Sequence, residues 1–381
     1  MKKVITTERI PIKLWLDEVD EGTLIQAKNL ANLPFALNWI AIMPDAHQGY
    51  GMPIGGVMLT DGVIVPNAVG VDIGCGMAAS RLSLTEIDKP SIEKIIEQVK
   101  NRIPVGFEHN QTAQEWEAFD EAPDIPVIQR NLASARKQLG TLGGGNHFVE
   151  IQTGSDGHIW LMVHSGSRNY GLKTAKEYHK KAQQLCQRWH SDIPDKDLSF
   201  LPIESDEGGE YYDAMNFCLK FAQANRALMM KKLLEITASV TGASVEHEIN
   251  IQHNYAAFEK HFGRNLLVHR KGATKANKNI EGIIPGSMGT CSYIVKGLGN
   301  RESFMSCSHG AGRIMGRKQA IRELDLTKEQ EKMKNIVHDL YSRDKLEEAP
   351  GAYKDIDEVM SNQKDLVEIT VKLTPLGVVK G

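Results

Sequence analysis

Short loops that carry aspartate, cysteine or histidine, most of them rich in glycine, recur along the whole of this chain. They occupy residues 43–51, 71–76, 143–150, 163–168, 251–254 and 306–313. Glycine-rich turns let the backbone approach a ligand closely, and imidazole, thiolate and carboxylate groups are metal ligands. A fold that uses these loops together must bring distant parts of the sequence to one place. Because there is also no internal repeat, the pattern predicts a single domain over residues 1–381.

The apolar periodicity predicts both helices and strands in mixed order, which favours an α+β fold. Apolar residues at helical spacing predict amphipathic surface helices over residues 21–33, 91–101, 125–139, 172–189 and 211–237. Short runs with strand character lie at residues 70–73, 148–151, 159–163 and 265–268. The polar stretch 191–210 is rich in Asp and Pro, and we interpret it as an exposed loop or lid rather than a domain boundary.

Composition excludes several classes of protein. With 41% hydrophobic residues the chain can bury a core, yet no apolar run approaches the roughly 20 residues of a membrane helix. The N-terminus lacks the apolar stretch of a signal peptide, so we expect a cytoplasmic protein. Five cysteines without paired spacing argue against a disulfide framework. The net charge of −3 means that a nucleic-acid partner needs a local basic patch, for which residues 270–278 are a candidate.

Four of these loops together suggest a dinuclear metal site. Asp72 and Cys75 are three residues apart, so one carboxylate and one thiolate can face the same ion, and a thiolate can bridge two ions. His147, His164 and His253 would complete two neighbouring sites with positions left open for substrate. The ligand types do not separate manganese, zinc and iron. A single histidine near glycine is more often a hydrogen-bonded loop residue than a metal ligand, and it is the number of similar loops that favours the metal site.

The remaining cysteines show no ligand pattern. Cys186, Cys218 and Cys291 are interpreted as core or bystander residues. Cys307 lies two residues before His309 and would point to the same side of a strand, but packing is the favoured role.

Residues 285–290 and 309–313 form loops that suit anions. Small residues there expose backbone N–H groups to phosphate oxygens, and Arg168 or Arg313 could add a fork-shaped cation. Neither loop is a P-loop, because the Gly-Lys-Ser/Thr ending of that motif is missing. Neither loop makes a dinucleotide-binding fingerprint either.

The motifs Asp72-Ile73-Gly74-Cys75-Gly76, Asn146-His147-Phe148 after three glycines, His164-Ser165-Gly166-Ser167-Arg168 and Ser308-His309-Gly310-Ala311-Gly312-Arg313 resemble the signatures of the RtcB RNA ligases. The likeness runs from the loop at Met43 to the terminal Lys380-Gly381, so it covers nearly the whole chain. It implies mixed β-sheets around a central metal cleft with peripheral helices. The chain resembles a short, bacterial-type form of the family.

The resemblance implies a reaction in which a histidine attacks the α-phosphate of GTP, and His309 matches that histidine. A 2′,3′-cyclic phosphate RNA end is opened to a 3′-phosphate, GMP is transferred to it, and a 5′-hydroxyl end displaces the GMP. Two Mn²⁺ ions, or other divalent metals, serve as cofactors. Cys75 would bridge them, with Asp72, His164 and His253 completing one shell and His147 belonging to the other.

The resemblance also implies the residues that contact GTP and GMP. They are Asn146, His147, Phe148, Val149, Glu150, His253, Asn254, Pro285, Gly286, Ser287, Met288, Ser292, His309, Gly310, Ala311, Gly312 and Lys380. Lys380 is the penultimate residue, so the C-terminus is expected to fold back towards the base. Asp45 and His47 would either orient metal ligands or contact RNA, and Tyr353 would line the pocket or pack beneath it. Candidate RNA or phosphate contacts are Arg168, Arg270, Lys271 and Arg313.

The chain departs from the family pattern in two respects. The stretch between Arg313 and Glu347 is compact, and Gly316 stands where a serine is expected. These differences leave open which RNA is joined and whether an accessory repair or activating protein takes part. We expect a monomer. Two other functions stay open: a dinuclear metal RNA phosphodiesterase that uses no nucleotide, and a non-catalytic, metal-stabilised RNA-binding module.

Overall fold

The computed structural model describes all 381 residues and contains nine α-helices. None of the helices combines the length and the apolar character that a membrane span requires. The helices are α1 (Glu21–Ala31), α2 (Pro66–Val69), α3 (Lys89–Arg102), α4 (Pro126–Gln138), α5 (Arg168–Arg188), α6 (Asp206–Thr241), α7 (Arg317–Glu323), α8 (Leu326–Lys332) and α9 (Ile356–Ser361).

Seventeen strands form two large sheets and two small ones. They are β1 (Lys3–Ile5), β2 (Ile12–Leu14), β3 (Ala36–Tyr50), β4 (Met52–Thr60), β5 (Val63–Ile64), β6 (Gly76–Leu82), β7 (Phe148–Gly154), β8 (Ile159–Ser165), β9 (Leu201–Pro202), β10 (Val245–Gln252), β11 (Asn254–His261), β12 (Arg264–Lys271), β13 (Ala273–Lys275), β14 (Glu281–Ile284), β15 (Ser292–Gly297), β16 (Ser306–Ser308) and β17 (Val367–Lys380).

The strand order confirms the predicted α+β class. One sheet runs β1-β2-β3-β4-β12-β11, and its β2–β3 pair is parallel while its other pairs are antiparallel. The other sheet runs β10-β6-β8-β7-β17-β15-β14 and is antiparallel throughout. The pairs β13–β16 and β5–β9 complete the set.

Helix α6 is more than the surface helix that its sequence pattern predicts. Its Phe217 and Phe221 belong to one hydrophobic cluster with α4 and α5, whereas Met229 and Leu233 belong to a second cluster with α3 and the seven-stranded sheet. The helix therefore joins two parts of the core. Gly242 ends it in the left-handed conformation, which glycine adopts without the steric cost that a Cβ would add.

Two of the local predictions need correction. Residues 70–73 are a loop rather than a strand, because α2 ends at Val69 and both Gly70 and Gly74 have positive φ. The stretch 191–210 is exposed only in part, since Leu198 and Leu201 are fully buried and Asp206 already begins α6. Whether any of this stretch acts as a lid stays a prediction.

Candidate metal centre and nucleophile

The five predicted metal ligands meet at one end of the seven-stranded sheet. Cys75 immediately precedes β6 and His147 immediately precedes β7, while His164 lies near the end of β8 and His253 follows β10. The register aligns these ends, because Met77 on β6 and Phe148 on β7 both pair with His164. Antiparallel pairing thus places ligands from distant parts of the sequence side by side.

The ligand atoms form two groups that share a thiol. Cys75, His164 and His253 make one group, and Asp72, Cys75 and His147 make the other, with the ligand atoms of each group within 4.8 Å of one another. Cys75 Sγ lies 3.2 Å from His164 Nε2 and 3.5 Å from His147 Nε2. The expected bridging position of Cys75 agrees with this arrangement. The expected partition was wrong, because Asp72 belongs with His147, whose Nε2 is 3.1 Å from Asp72 Oδ2.

Backbone carbonyls orient two of the imidazoles for metal binding. His147 Nδ1 donates to the carbonyl of Leu142 at 3.0 Å, and His164 Nδ1 donates to that of Asn146 at 3.1 Å. These bonds fix the tautomer, so each Nε2 presents its lone pair towards Cys75. His253 Nδ1 is buried without any hydrogen-bond partner. The residues therefore fit two divalent cations.

The electrostatics of the site also suit metal binding. Burial lowers the pKa values of His164 and His253 well below the ordinary range, so both imidazoles are neutral. Burial alone would raise the pKa of Asp72, but the hydrogen bond and charge of His147 lower it overall. Burial and the neighbouring Asp72 raise the pKa of the Cys75 thiol. A divalent cation beside that thiol would stabilise its thiolate form.

Polar residues of α6 hold the loops that carry the metal ligands, and no sequence pattern pointed to them. Arg226 is fully buried and its Nη1 donates to the carbonyls of Gly74 and Ser165, at 2.7 and 3.0 Å. Asn225 donates to the carbonyl of Gly166 at 3.1 Å. A charged residue within a helical pattern normally indicates a solvated face, so only the structure could identify this role.

The predicted nucleophile lies beside the metal group, with its ring held by a buried carboxylate. Asp45 Oδ2 accepts hydrogen bonds from His309 Nδ1 at 2.6 Å, from His309 N at 3.0 Å and from Gly310 N at 3.2 Å. Nε2 of His309 is therefore left as the free, basic nitrogen. The ring centroids of His309 and His253 are 4.8 Å apart. Asp45 was expected to orient a metal ligand or to contact RNA, but its contacts give it a different role, because the ring that it holds is that of His309, which belongs to neither ligand group.

The segment around Asp45 is irregular and closely packed. The register of β3 against β4 shifts between Ile42 and His47, which turns Asp45 out of the regular pairing. Gly312 has φ of +77°, and a Cβ there would lie 2.1 Å from the carbonyl oxygen of Asp45. Lys354 donates to the carbonyls of Pro44 and Ala46, on either side of Asp45. His47 Nδ1 lies 3.0 Å from the Asp45 carbonyl oxygen.

A cleft of about 1490 Å³ connects the metal group, His309 and the predicted nucleotide residues. Tyr353 lines it, as do most of the predicted nucleotide contacts: Asn146, His147, Phe148, His253, Asn254, Pro285, Gly286, Ser287, Met288, His309, Gly310, Ala311, Gly312 and Lys380. The C-terminus folds back as expected, because Lys380 on β17 pairs with Phe148 on β7. Its ammonium lies 5.2 Å from the centroid of the Phe148 ring.

Three predicted nucleotide residues do not line the cleft. Val149 is a correction, because its side chain packs in the core with Ile151 on the other face of β7. Glu150 and Ser292 lie behind the wall, where Gln152 Nε2 donates to both of them, at 2.7 and 3.2 Å. Burial raises the pKa of Glu150 to about 8, against the opposing charge of Lys380. Ser292 Oγ accepts from Gly286 N at 3.2 Å, so it supports the loop that does line the cleft.

Comparison with known proteins identifies the family. The family model described as "tRNA-splicing ligase RtcB" matches residues 26–125 and 108–381. The chain belongs to the RtcB family.

Similar RtcB proteins come from both bacteria and archaea. The chain is 38% identical to the "RNA-splicing ligase RtcB" of Escherichia coli (strain K12), over 100% of this chain and 99% of that protein. It is 32% identical to the "tRNA-splicing ligase RtcB" of Pyrobaculum aerophilum, over 98% of this chain and 95% of that protein. It is 31% identical to the "RNA-splicing ligase RtcB" of Mycobacterium tuberculosis, over 94% of this chain and the full length of that protein.

The glycine at position 316, where a serine is expected in the RtcB family, fits its place in the fold. Gly316 is the N-cap of α7, and a Cβ added there would meet no atom within 4 Å. A serine would fit and could cap the helix, so Gly316 removes only a local hydrogen bond.

Glu348 is a residue of this RtcB site that sequence reasoning missed. Its carboxylate is buried and accepts from Arg313 Nη1 at 3.0 Å, pairs with Arg317 Nε at 3.2 Å and lies 3.8 Å from Lys380 Nζ. Tyr353 also donates to it. Burial alone would raise the pKa of Glu348, but the surrounding cations lower it overall. Glu348 thereby ties the C-terminal lysine to the loop that follows His309.

The candidate RNA contacts have different surroundings. Arg270 is a correction: it is fully buried and forms a two-point pair with Glu259, at 2.7 and 3.0 Å, so it cannot reach RNA. Arg168 donates hydrogen bonds to the hydroxyl of Thr141 and to the carbonyl of Gly106. Arg313 and Lys271 line the cleft. RNA contact by Arg168, Arg313 and Lys271 stays a prediction.

The other cysteines agree with the predicted packing roles. Cys186, Cys218 and Cys307 are buried, and Cys291 is half-buried, with none of them in either ligand group. Cys307 belongs to a hydrophobic cluster with Val268 and Phe304, and burial raises the pKa of its thiol.

Proposed function

We propose that this protein joins RNA 2′,3′-cyclic phosphate or 3′-phosphate ends to 5′-hydroxyl ends, with GMP carried on His309, in tRNA splicing or RNA repair. The observation that supports this most directly is the placing of His309. Its ring is held by Asp45 at 2.6 Å and lies 4.8 Å, between centroids, from His253 of the metal group. The same cleft reaches Phe148 and Lys380, so a nucleotide can contact both ends of it.

The hydrogen bond to Asp45 determines how His309 can act. With the proton on Nδ1 directed to the carboxylate, the Nε2 lone pair is available to attack the α-phosphate of GTP. The Nε2–phosphorus bond forms while the bond from that phosphorus to the pyrophosphate oxygen breaks, and pyrophosphate leaves. Asp45 then stabilises the positive charge of the imidazolium that carries GMP on Nε2 and a proton on Nδ1, as a buried carboxylate does in a catalytic triad.

The walls of the cleft suit the nucleotide. The loop from Pro285 to Met288 and the loop from His309 to Gly312 both offer backbone N–H groups from small residues, which suits phosphate oxygens. Lys380, held near Glu348, would donate to an acceptor on the base. These contacts would hold the α-phosphate close to His309 and exclude alternative orientations.

Two divalent cations would fit the ligand groups of Asp72, Cys75 and His147 and of Cys75, His164 and His253. We propose manganese, and the mixed thiolate, imidazole and carboxylate set also suits other divalent metals. When bound, the cations supply positive charge that offsets the charge on the phosphates. The RNA 3′-phosphate then takes the GMP from His309, and the 5′-hydroxyl end displaces GMP to form the new phosphodiester bond.

A joining assay tests this function against the two alternatives. Purified protein is given Mn²⁺, a 5′-hydroxyl RNA and an RNA that ends in either a 2′,3′-cyclic phosphate or a 3′-phosphate, with and without GTP, beside a His309→Ala variant. The proposal requires a joined product that depends on both GTP and His309. Opening of cyclic phosphate ends without GTP, and without any joined product, would favour the phosphodiesterase. RNA binding alone, unchanged in His309→Ala, would favour the binding module.

A further inference from the structure

Tyr50 places an exposed aromatic ring at the cleft that holds the metal ligands. It is the last residue of β3 and lines the cleft, yet 69% of its surface is exposed. A single exposed aromatic is ordinary at a protein surface, but the Tyr50 ring is exposed where it also lines the cleft, so a bound ligand can contact it.

The hairpin tip that carries Tyr50 is firmly held. Gln26 makes two hydrogen bonds with the backbone of Gly49, at 2.7 and 3.0 Å. Gly51 has φ of +66°, and a Cβ there would lie 2.7 Å from the carbonyl oxygen of Asp197. The tip is therefore packed on both sides, and the Tyr50 ring is presented from a fixed backbone.

A buried lysine amine lies directly beneath the same tip, and burial lowers its pKa to about 7. Lys271 ends β12 with only 6% of its surface exposed, and its Nζ donates to the carbonyl of Tyr50 at 2.7 Å. Lys271 lines the cleft, has one hydrogen-bond partner and forms no ion pair, so an anion bound beside it would both accept from its free N–H groups and stabilise its charged form. The next residue, Gly272, packs against His309, since a Cβ there would lie 3.1 Å from His309 Cε1.

We infer that Tyr50 and Lys271 form a subsite for the terminal nucleotide of a single-stranded RNA end, with the ring stacked on the base and the ammonium bound to a phosphate. Aromatic stacking together with a cation is the usual way in which proteins bind unpaired nucleotides. The subsite adds to the proposed function, since it rests on RNA being the substrate. A 3′-phosphate end and a 5′-hydroxyl end share this chemistry.

Direct binding measurements test the subsite. Short fluorescent RNAs, one ending in a 3′-phosphate and one in a 5′-hydroxyl, are titrated with the full chain and Mn²⁺ in the absence of GTP. Each is also made with an abasic terminal nucleotide. Tyr50→Ala should weaken binding of at least one intact RNA by about fivefold or more, as expected for one lost base stack. The same variant should bind the abasic RNA as tightly as the wild type does, and Tyr50→Phe should resemble the wild type.

Tyr341→Ala is the matched control, because Tyr341 is 70% exposed but does not line the cleft. It should leave both affinities unchanged. Lys271→Met should weaken intact and abasic RNAs equally and lower the slope of log affinity against log salt by about one. The RNA whose affinity falls identifies which end occupies the subsite.

Equal affinities of Tyr50→Ala and wild type for both intact RNAs would overturn the subsite, as would an equal loss for intact and abasic RNA. Failure of the wild type to bind either RNA would overturn both the subsite and the proposed function. Wild-type binding with the expected Tyr50 dependence, but with no GMP on His309 when GTP is added, would overturn only the proposed ligation route.

Discussion

Replacing Asp45 with asparagine should slow guanylylation of His309 while leaving the metal site intact. Asp45 Oδ2 accepts three N–H groups, from His309 Nδ1, His309 N and Gly310 N, and its Oδ1 has no partner. An amide can offer these donors a neutral oxygen, or it can present an NH₂ group that accepts nothing. Both changes remove the charge that would stabilise the imidazolium.

The expected size of the effect follows from these hydrogen bonds. A hydrogen bond to a charged group contributes roughly 1.5–3 kcal/mol, which corresponds to a rate loss of roughly 10- to 150-fold if it is made in the transition state. If the amide nitrogen faces His309 and inverts its tautomer, the loss approaches the roughly 10⁴-fold effect of the same substitution in a Ser–His–Asp triad. We therefore expect at least a tenfold loss.

The assay is single-turnover formation of the covalent adduct from GTP labelled at the α-phosphate, with Mn²⁺ and without RNA. Asp61→Asn serves as a control, because Asp61 pairs with Arg264 at the surface. The metal content of both variants is measured alongside. A rate for Asp45→Asn within twofold of the wild type, at equal metal content, would refute the role of Asp45.

Three further predictions concern metal content, pH and the C-terminus. Cys75→Ala should lose more manganese per chain than His147→Ala, because Cys75 belongs to both ligand groups and His147 to one; equal losses by mass spectrometry would contradict the shared thiol. The pKa of Glu150 is raised to about 8, so the stabilising protonated form is present at low pH and lost as pH rises towards 8. The free energy of unfolding of Glu150→Gln, measured in urea, should therefore increase relative to that of the wild type as the pH rises from about 5 to 8. A difference between the two proteins that does not change with pH would argue against burial of this acid. Deletion of Lys380 and Gly381 should impair guanylylation, because Lys380 reaches the cleft beside Phe148; an unimpaired truncation would mean that the nucleotide pocket is elsewhere.

The parts of the fold that the sequence predicted are those with local periodicity. The pattern over residues 125–139 corresponds to α4 and the apolar run 159–163 to β8, within a few residues. The long hairpin of β3 and β4 was not predicted, because its register shifts between Ile42 and His47 and again before Tyr50. Such irregular pairing leaves no simple alternation of apolar and polar residues.

The candidate site was predictable in its residue types but not in its contacts. Cysteine and histidine in glycine-rich loops indicate their chemistry locally, which is why Cys75 and His309 could be selected. Asp45 is 264 residues from His309, and no spacing rule connects them. Arg226 and Glu348 look like solvated charges in sequence, and only burial by distant elements gives them their roles.

Covalent labelling of His309 decides whether this residue carries GMP. The full chain is incubated with Mn²⁺ and GTP labelled at the α-phosphate, and the acid-labile label on the protein is compared between wild type and His309→Ala. We expect about one GMP per wild-type chain at most and none on His309→Ala, with folding and metal content retained. An unlabelled wild-type protein, or equal labelling of His309→Ala, would contradict it.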